Sequence, residues 1–467
     1  MTSTEMPPLQ DAGPSGGATS RFGLTTAIAL IVGSIIGVGI FNLPTSLASY
    51  GPISLVSMGL TTIGALALAM LFAALCRRLP ADGGPYAYSR VAFGNPLGFA
   101  NAWSYWITAW AGNAAIAVGW VLYVEEFVNK DHNRFFSIVL VLIGLWIPAA
   151  INLSGVKNMG SVQVVTTVLK FAALLFMSTV GLFYIKASNF TPWNVSGESA
   201  ISAIGGGMSI ALFSYLGVEV AAVAAAKVRD PDRNVPRATI LGTLATAVVY
   251  MLSLTAVFGI VPTNQLAEAN APFSLAMNTM FGGTWTGHLM AVAVIISGFG
   301  ALNGWTMICA EMPLAAAKDG LFPAQFKTIS RSGVPAFGVI ASTVLASIAM
   351  IINYLGSSGE TVFTTLVLMT GITAAIPYGF SALAQIKWRL ADHRAMDTPR
   401  FGRDMTVAVL SVIFSVLFIV YSRNTGNGFW DYWAPFFMAG GALLLGIPVY
   451  RRQRSQMTEP DPVPPYR

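Results

Sequence analysis

Gly33-Ser34-Ile35-Ile36-Gly37-Val38-Gly39-Ile40 sits in the middle of an apolar stretch that runs from about residue 24 to 48. Three glycines so close together remove the side chains that stabilise a helix, so the backbone is expected to unwind there. Inside a bilayer, open backbone is tolerated only where it lines a cavity, because no water is at hand for its N–H and C=O groups. The octapeptide therefore reads either as a ligand site at mid-depth or as a small-residue seam for close helix packing.

Composition supports the bilayer. Of the 467 residues 55% are hydrophobic and 10% are charged, whereas soluble domains carry about 25% charged residues. Twelve spans are expected, at about 24–48, 52–76, 97–127, 135–155, 160–185, 200–226, 236–261, 286–312, 335–355, 361–387, 405–422 and 429–450. Each is long enough for a hydrocarbon core of about 30 Å. With both termini cytoplasmic, 21 of the 26 Lys and Arg fall in cytoplasmic segments. Only Lys130, Arg134, Lys186 and Arg423 fall on the opposite side, and Lys170 lies within a span. That asymmetry sets the orientation.

Span 6 has the character of span 1. Gly205-Gly206-Gly207 enters it, and Phe213-Ser214-Tyr215-Leu216-Gly217-Val218-Glu219 interrupts its apolar middle. Two irregular spans, five apart, are what an inverted repeat of five plus five helices predicts, with the broken helices meeting at the bilayer midplane. A half-helix N-terminus there would attract a carboxylate, and freed carbonyls would hold an ammonium. Residues 1–20 are polar, rich in Pro, Gly and Ser, and read as a disordered cytoplasmic tail without a signal peptide.

An enzyme is disfavoured. The loops are short, His132, His288 and His393 lie in or near them, and no nucleophile, metal or cofactor constellation is evident. Cys76 and Cys309 read as packing residues. The net charge of +6 reflects cytoplasmic loops and does not point to nucleic acid.

The glycine-rich run with Phe41-Asn42-Leu43-Pro44, then Gly217-Val218-Glu219, Arg233-Asn234-Val235-Pro236, Asn303-Gly304-Trp305-Thr306 and Lys318-Asp319-Gly320-Leu321-Phe322-Pro323, resemble the amino acid-polyamine-organocation transporter superfamily. The last three groups are most similar to its basic amino acid and polyamine antiporters, including the arginine/agmatine antiporter. The resemblance implies an all-α integral membrane protein of LeuT type: a ten-helix core over 21–390 with repeats at about 21–190 and 195–390, discontinuous helices 1 and 6, two peripheral helices over 391–450, and a cytoplasmic tail over 451–467. It implies alternating-access transport of a cationic or polar amino acid, in exchange for a related amine. Proton-linked uptake of a neutral amino acid and a non-transporting sensor remain alternatives, and a homodimer in the lipid bilayer stays open.

The same resemblance supplies site residues. Ile36, Gly37, Val38 and Gly39 would meet the substrate from span 1, and Phe213 and Leu216 from span 6. Asn113, Thr108 and Ala109 stand at pocket positions of span 3, Trp305 in span 8 and Thr370 in span 10. Tyr105 and Tyr378 occupy gating positions, and Phe213 stands where the arginine/agmatine antiporter has tryptophan. Read from the residues alone, Asn113 would equally serve an interhelical hydrogen bond of about 0.6 kcal/mol, and Trp305 an interfacial role. Lys170 costs roughly 3 kcal/mol at mid-span. It is either a proton carrier or cation substitute bonded to freed carbonyls near Gly33 and Ser34, or a lysine that snorkels to an interface. Glu219 either couples and gates or ties broken backbone to a neighbour.

A reporter fused after Arg467 is expected to score as cytoplasmic; a periplasmic signal would reverse the topology.

Overall fold

The computed structural model describes residues 23–79, 83–155, 159–220, 228–392, 399–423 and 428–460. Eleven helical stretches among them are long and apolar enough to cross a membrane, and one further apolar stretch, Ala200–Tyr215, is shorter. Every expected span thus meets a helix, although the sixth is helical over less than its expected 200–226. Residues 221–227 and the N-terminal tail at 1–20 lie outside the described residues.

The chain opens with α1 (Leu24–Ile35) and α2 (Gly39–Ala48), followed by α3 (Ser54–Arg78), the short α4 (Pro85–Phe93), α5 (Asn95–Val128), α6 (Arg134–Leu153) and α7 (Met159–Thr179). After α8 (Ala200–Ala211) come α9 (Pro231–Ile260), two short helices α10 (Thr263–Ala267) and α11 (Pro272–Phe281), then α12 (Trp285–Lys318), α13 (Ala336–Tyr354) and α14 (Gly359–Ala391). The chain ends with α15 (Pro399–Tyr421), α16 (Phe429–Leu444) and α17 (Gly446–Gln453). Polar residues start several of them. Asn133 accepts a hydrogen bond from the Phe136 N–H at α6 and Ser358 one from the Thr361 N–H at α14, each occupying an otherwise orphaned donor.

α5 is the axis of the bundle. Protein encloses 94% of its apolar window, against 17% for the stretch Tyr432–Gln456, whose remaining surface faces outward. Small residues (Ala102, Ala109, Ala111, Ala114, Ala115, Ala117) let α12 and α14 approach α5 closely. α1 packs on α9 and α7, and α3 on α9 and α8.

Both suspected helices are interrupted. α1 stops where Ile36 turns extended (ψ 95°), its N–H bonding the Val32 carbonyl at 2.9 Å, and helix resumes at Gly39. α8 tightens into a 3₁₀ turn over Leu212–Tyr215, and Gly217 then takes φ +104°. Gly217 is required twice over: side chains rarely adopt that conformation, and a Cβ there would come within 2.9 Å of the Ser34 carbonyl carbon. The two breaks therefore abut.

Within the expected tail from 451, the described residues up to 460 pack against the bundle. α17 runs to Gln453, and Thr458 Oγ1 donates to the Asp319 carbonyl at 3.2 Å, while Arg90 Nη2 and Asn95 Nδ2 donate to the Thr458 carbonyl at 2.7 and 3.0 Å. Backbone groups at the end of α12 and buried Arg90 supply partners that composition does not reveal.

Gly217→Ala is expected to destabilise the protein by about 1–3 kcal/mol, the cost of a side chain held in a sparsely populated backbone region. Thermal unfolding of the detergent-solubilised variant checks this; an unchanged midpoint would mean that the loop accommodates a Cβ.

Candidate substrate site

A cavity of about 20 Å³ lies between the two breaks. Ser34, Ile35, Gly37 and Gly39 line it from span 1, Gly112 and Ile116 from α5, Phe213, Ser214 and Leu216 after α8, and Trp305 from α12. That volume admits about one water, so a larger molecule enters only as the lining elements separate. Phe213 closes one side. Its ring stands edge-on to Phe363 with centroids 6.0 Å apart, and a Cβ on Gly39 would meet its Cδ1 at 2.8 Å.

The cavity lies between the C-terminus of α1 and the N-terminus of α2, the carbonyl end of one dipole and the amide end of another. Side chains take up the carbonyls that α1 leaves unpaired. Lys170 Nζ donates to the Gly33 carbonyl at 3.0 Å and Tyr250 Oη to the Ile35 carbonyl at 3.1 Å. Across the break, Asn42 Nδ2 donates to the Val38 carbonyl at 3.2 Å and to the Gly119 carbonyl at 3.1 Å, tying α2 to α5. The N–H groups of Gly37, Val38 and Gly39 make no hydrogen bond among the described residues.

Below Phe213, Glu219 gathers three donors. Tyr105 Oη donates to its Oε1 and Tyr378 Oη to its Oε2, both at 2.7 Å, and the Gly217 N–H reaches Oε2 at 3.3 Å. The carboxyl is fully buried, so each bond forms away from competing water. One side chain thus joins the broken segment after α8 to α5 and α14. Tyr105 lies seven residues before Gly112 on α5, about 10 Å along the helix.

The sequence profile of the amino acid permease family matches residues 22–442. The chain belongs to this family. It is a multi-pass membrane permease, not an enzyme. Its sequence is 30% identical to the putrescine transporter PotE of Haemophilus influenzae over 399 residues, 85% of this chain and 91% of that protein. It is 28% identical to the arginine/ornithine antiporter of Pseudomonas aeruginosa over 417 residues, covering 85% and 86% of the two chains. Against the cadaverine/lysine antiporter of Escherichia coli the identity is 27% over 376 residues, 79% of this chain and 84% of that one.

The permease distributes its expected site residues unevenly. Gly37, Gly39, Phe213, Leu216 and Trp305 line the cavity, and Tyr105, Glu219 and Tyr378 form one hydrogen-bonded group. Ile36, Val38, Thr108, Ala109, Asn113 and Thr370 are buried beside the cavity without lining it. Val38 turns its side chain toward Gly298, where a Cβ would meet Val38 Cγ2 at 2.5 Å. Thr108 donates to the Ser104 carbonyl at 3.1 Å and to Thr373 Oγ1 at 2.9 Å, and Thr370 to the Leu366 carbonyl at 2.6 Å. Asn113 does form an interhelical bond, Nδ2 to Thr306 Oγ1 at 3.1 Å, which leaves its buried Oδ1 without a hydrogen-bond partner. Lys170 does not snorkel: it is wholly enclosed. Sequence reading missed Gly112 and Ile116 as cavity walls, although their four-residue spacing puts them on one helical face. Tyr250 carries no local signal.

Gly39→Ala is expected to reduce substrate affinity at least tenfold, because its Cβ would displace the Phe213 ring that closes the cavity. Gly37→Ala should be far milder, since its nearest neighbour would be Ala301 Cβ at 3.9 Å, whereas Gly37→Leu fills the cavity and should abolish binding while leaving folding intact. Ligand-binding titrations of the three purified variants check the order; equal losses for Gly39→Ala and Gly37→Ala would contradict it.

Proposed function

We propose that this permease exchanges a cationic amino acid for a related amine by alternating access, with both termini cytoplasmic and with the ten helices up to residue 390 forming a five-plus-five inverted repeat. The observation that carries the reading is the pair of facing half-helix ends at one cavity, in a chain whose relatives are named for putrescine, arginine, ornithine, cadaverine and lysine. The amide end of α2 takes the α-carboxylate through the unpaired N–H groups of Gly37, Val38 and Gly39. Carbonyls at the end of α1, which keep a second lone pair beside the Lys170 and Tyr250 bonds, take the α-ammonium. The side chain runs along Trp305, whose ring face attracts a cation, toward Asn113 Oδ1, a buried acceptor in need of a donor.

Two closures flank the cavity in this reading. Phe213 against Phe363 is one, and Glu219 held by Tyr105 and Tyr378 is the other. Releasing the tyrosines would free the segment after α8 toward the cytoplasm, and swinging Phe213 away would open the opposite route.

A second reading, proton-linked uptake of a neutral amino acid, is favoured by the Lys170–Gly33 bond. An ammonium on the unwound span 1 is a group whose proton could be given up and regained in a transport cycle. The absence of a carboxylate among the residues lining the cavity fits it too.

Counterflow in proteoliposomes separates the readings. Internal ornithine or putrescine is expected to accelerate uptake of labelled arginine, and uptake no faster than into empty vesicles would defeat the exchange reading. Trp305→Leu should weaken arginine more than citrulline, its neutral isostere, by roughly fivefold, the equivalent of about 1 kcal/mol of cation–π attraction. Equal losses, together with a flattened pH profile in Lys170→Ala, would instead support the neutral substrate.

A further inference from the structure

On the face where the basic loops gather, a cavity of about 110 Å³ opens among α3, α9, α14 and α15. Its walls change character with depth. Met70, Leu71, Ile240 and Val407 form an apolar channel, and Arg77, Gln385 and Arg403 stand at its polar end. Gln385 lines the cavity, and its side-chain amide makes no hydrogen bond to the described residues, so it is available to a molecule in that space. Arg77 likewise has no carboxylate partner among the described residues, although Arg78 beside it is held by Asp392 at 2.5 Å.

The charge balance indicates what fits. Asp404 is the one acidic residue among the described residues lining the cavity, and it is already paired with Arg389 and, at 3.1 Å, with Arg403. The two lining guanidinium groups, Arg77 and Arg403, stand against one carboxylate that Arg389 already engages, and they leave a positive surplus beside the Gln385 amide. Planar guanidinium donors match phosphate oxygens, and basic pockets between membrane helices at the cytoplasmic surface are suited to anionic headgroups. The apolar channel leading away from the arginines has no use for a free phosphate; it fits an acyl chain.

We propose that this cavity binds the phosphodiester headgroup of an anionic phospholipid, with Arg77, Arg403 and the Gln385 amide as donors and an acyl chain along Met70, Ile240 and Val407. The lipid would bridge α15 to α3 and α9, fastening an outer helix to the bundle.

Native mass spectrometry of the full chain in detergent, titrated separately with phosphatidylglycerol, phosphatidylcholine and inorganic phosphate, tests this. One phosphatidylglycerol is expected to bind in preference to phosphatidylcholine, whose choline adds a positive charge to the same phosphodiester. Arg77→Gln is expected to weaken that binding roughly fivefold, the equivalent of about 1 kcal/mol per basic residue at the surface. Arg77 has no ion pair to lose among the described residues, so folding should be unaffected, and Gln385→Leu provides a second variant through the neutral donor. Arg452→Gln, outside the cavity, should retain full binding. Equal retention of both lipids, unchanged binding in Arg77→Gln and Gln385→Leu, or displacement of the lipid by inorganic phosphate at equal concentration would overturn the proposal.

Discussion

A peptide group that leaves a helix inside a bilayer must find its partner in protein, since lipid offers none. Much of the centre of this permease follows from that constraint. Unwinding span 1 at Ile36–Val38 releases carbonyls that Lys170 and Tyr250 cap from α7 and α9. Asn42 adds a bond to the Val38 carbonyl and reaches the Gly119 carbonyl of α5, and Tyr123 of α5 bonds the Phe41 carbonyl within α2. The broken helix is thereby attached to three neighbours through its own backbone, while the amides of Gly37, Val38 and Gly39 make no hydrogen bond among the described residues.

The second break obeys the same rule with a different device. Glu219 follows the interruption by two residues and brings its own carboxyl to the Gly217 N–H, while Tyr105 and Tyr378 supply the other donors. Hydrogen bonds to a buried carboxyl are strong because water is excluded. They are also separable, since a hydroxyl that swings away can meet water as soon as the helices part. A carboxyl between two tyrosines is therefore well suited to a contact that must hold in one state and release in another.

Outside the centre, charge rather than backbone organises the fold. Arg90 is almost completely buried at the foot of α5, bonded to Asp319 at 2.8 Å and to the carbonyl of Thr458, and Tyr86 also donates to Asp319. The segment at Thr458 thus lies against Asp319 at the end of α12 and against Arg90 and Asn95 beside the start of α5. The buried Arg389–Asp404 pair joins α14 to α15 in the same manner.

Apolar periodicity, the placement of lysine and arginine, and clustered glycines determined the membrane class, the spans and the location of both backbone breaks, because each depends on local composition or on a property of the bilayer. Lys170 and Glu219 were legible for a related reason: an ionisable group inside an apolar span is too costly to be incidental. The Lys170 bond to span 1 near Gly33 was one of two readings the sequence allowed, and the structure shows it. Other partnerships were not legible: that Tyr105 and Tyr378 converge on one carboxyl, and that Val38 and Thr108 turn away from the cavity while Gly112 and Ile116 face it, were decided by helix rotation and packing. Those depend on contacts between residues more than a hundred positions apart, which a linear pattern does not encode. The same holds for residues 454–460, which have the composition of a tail but which hydrogen bonds of Thr458 with Arg90, Asn95 and Asp319 hold against the bundle.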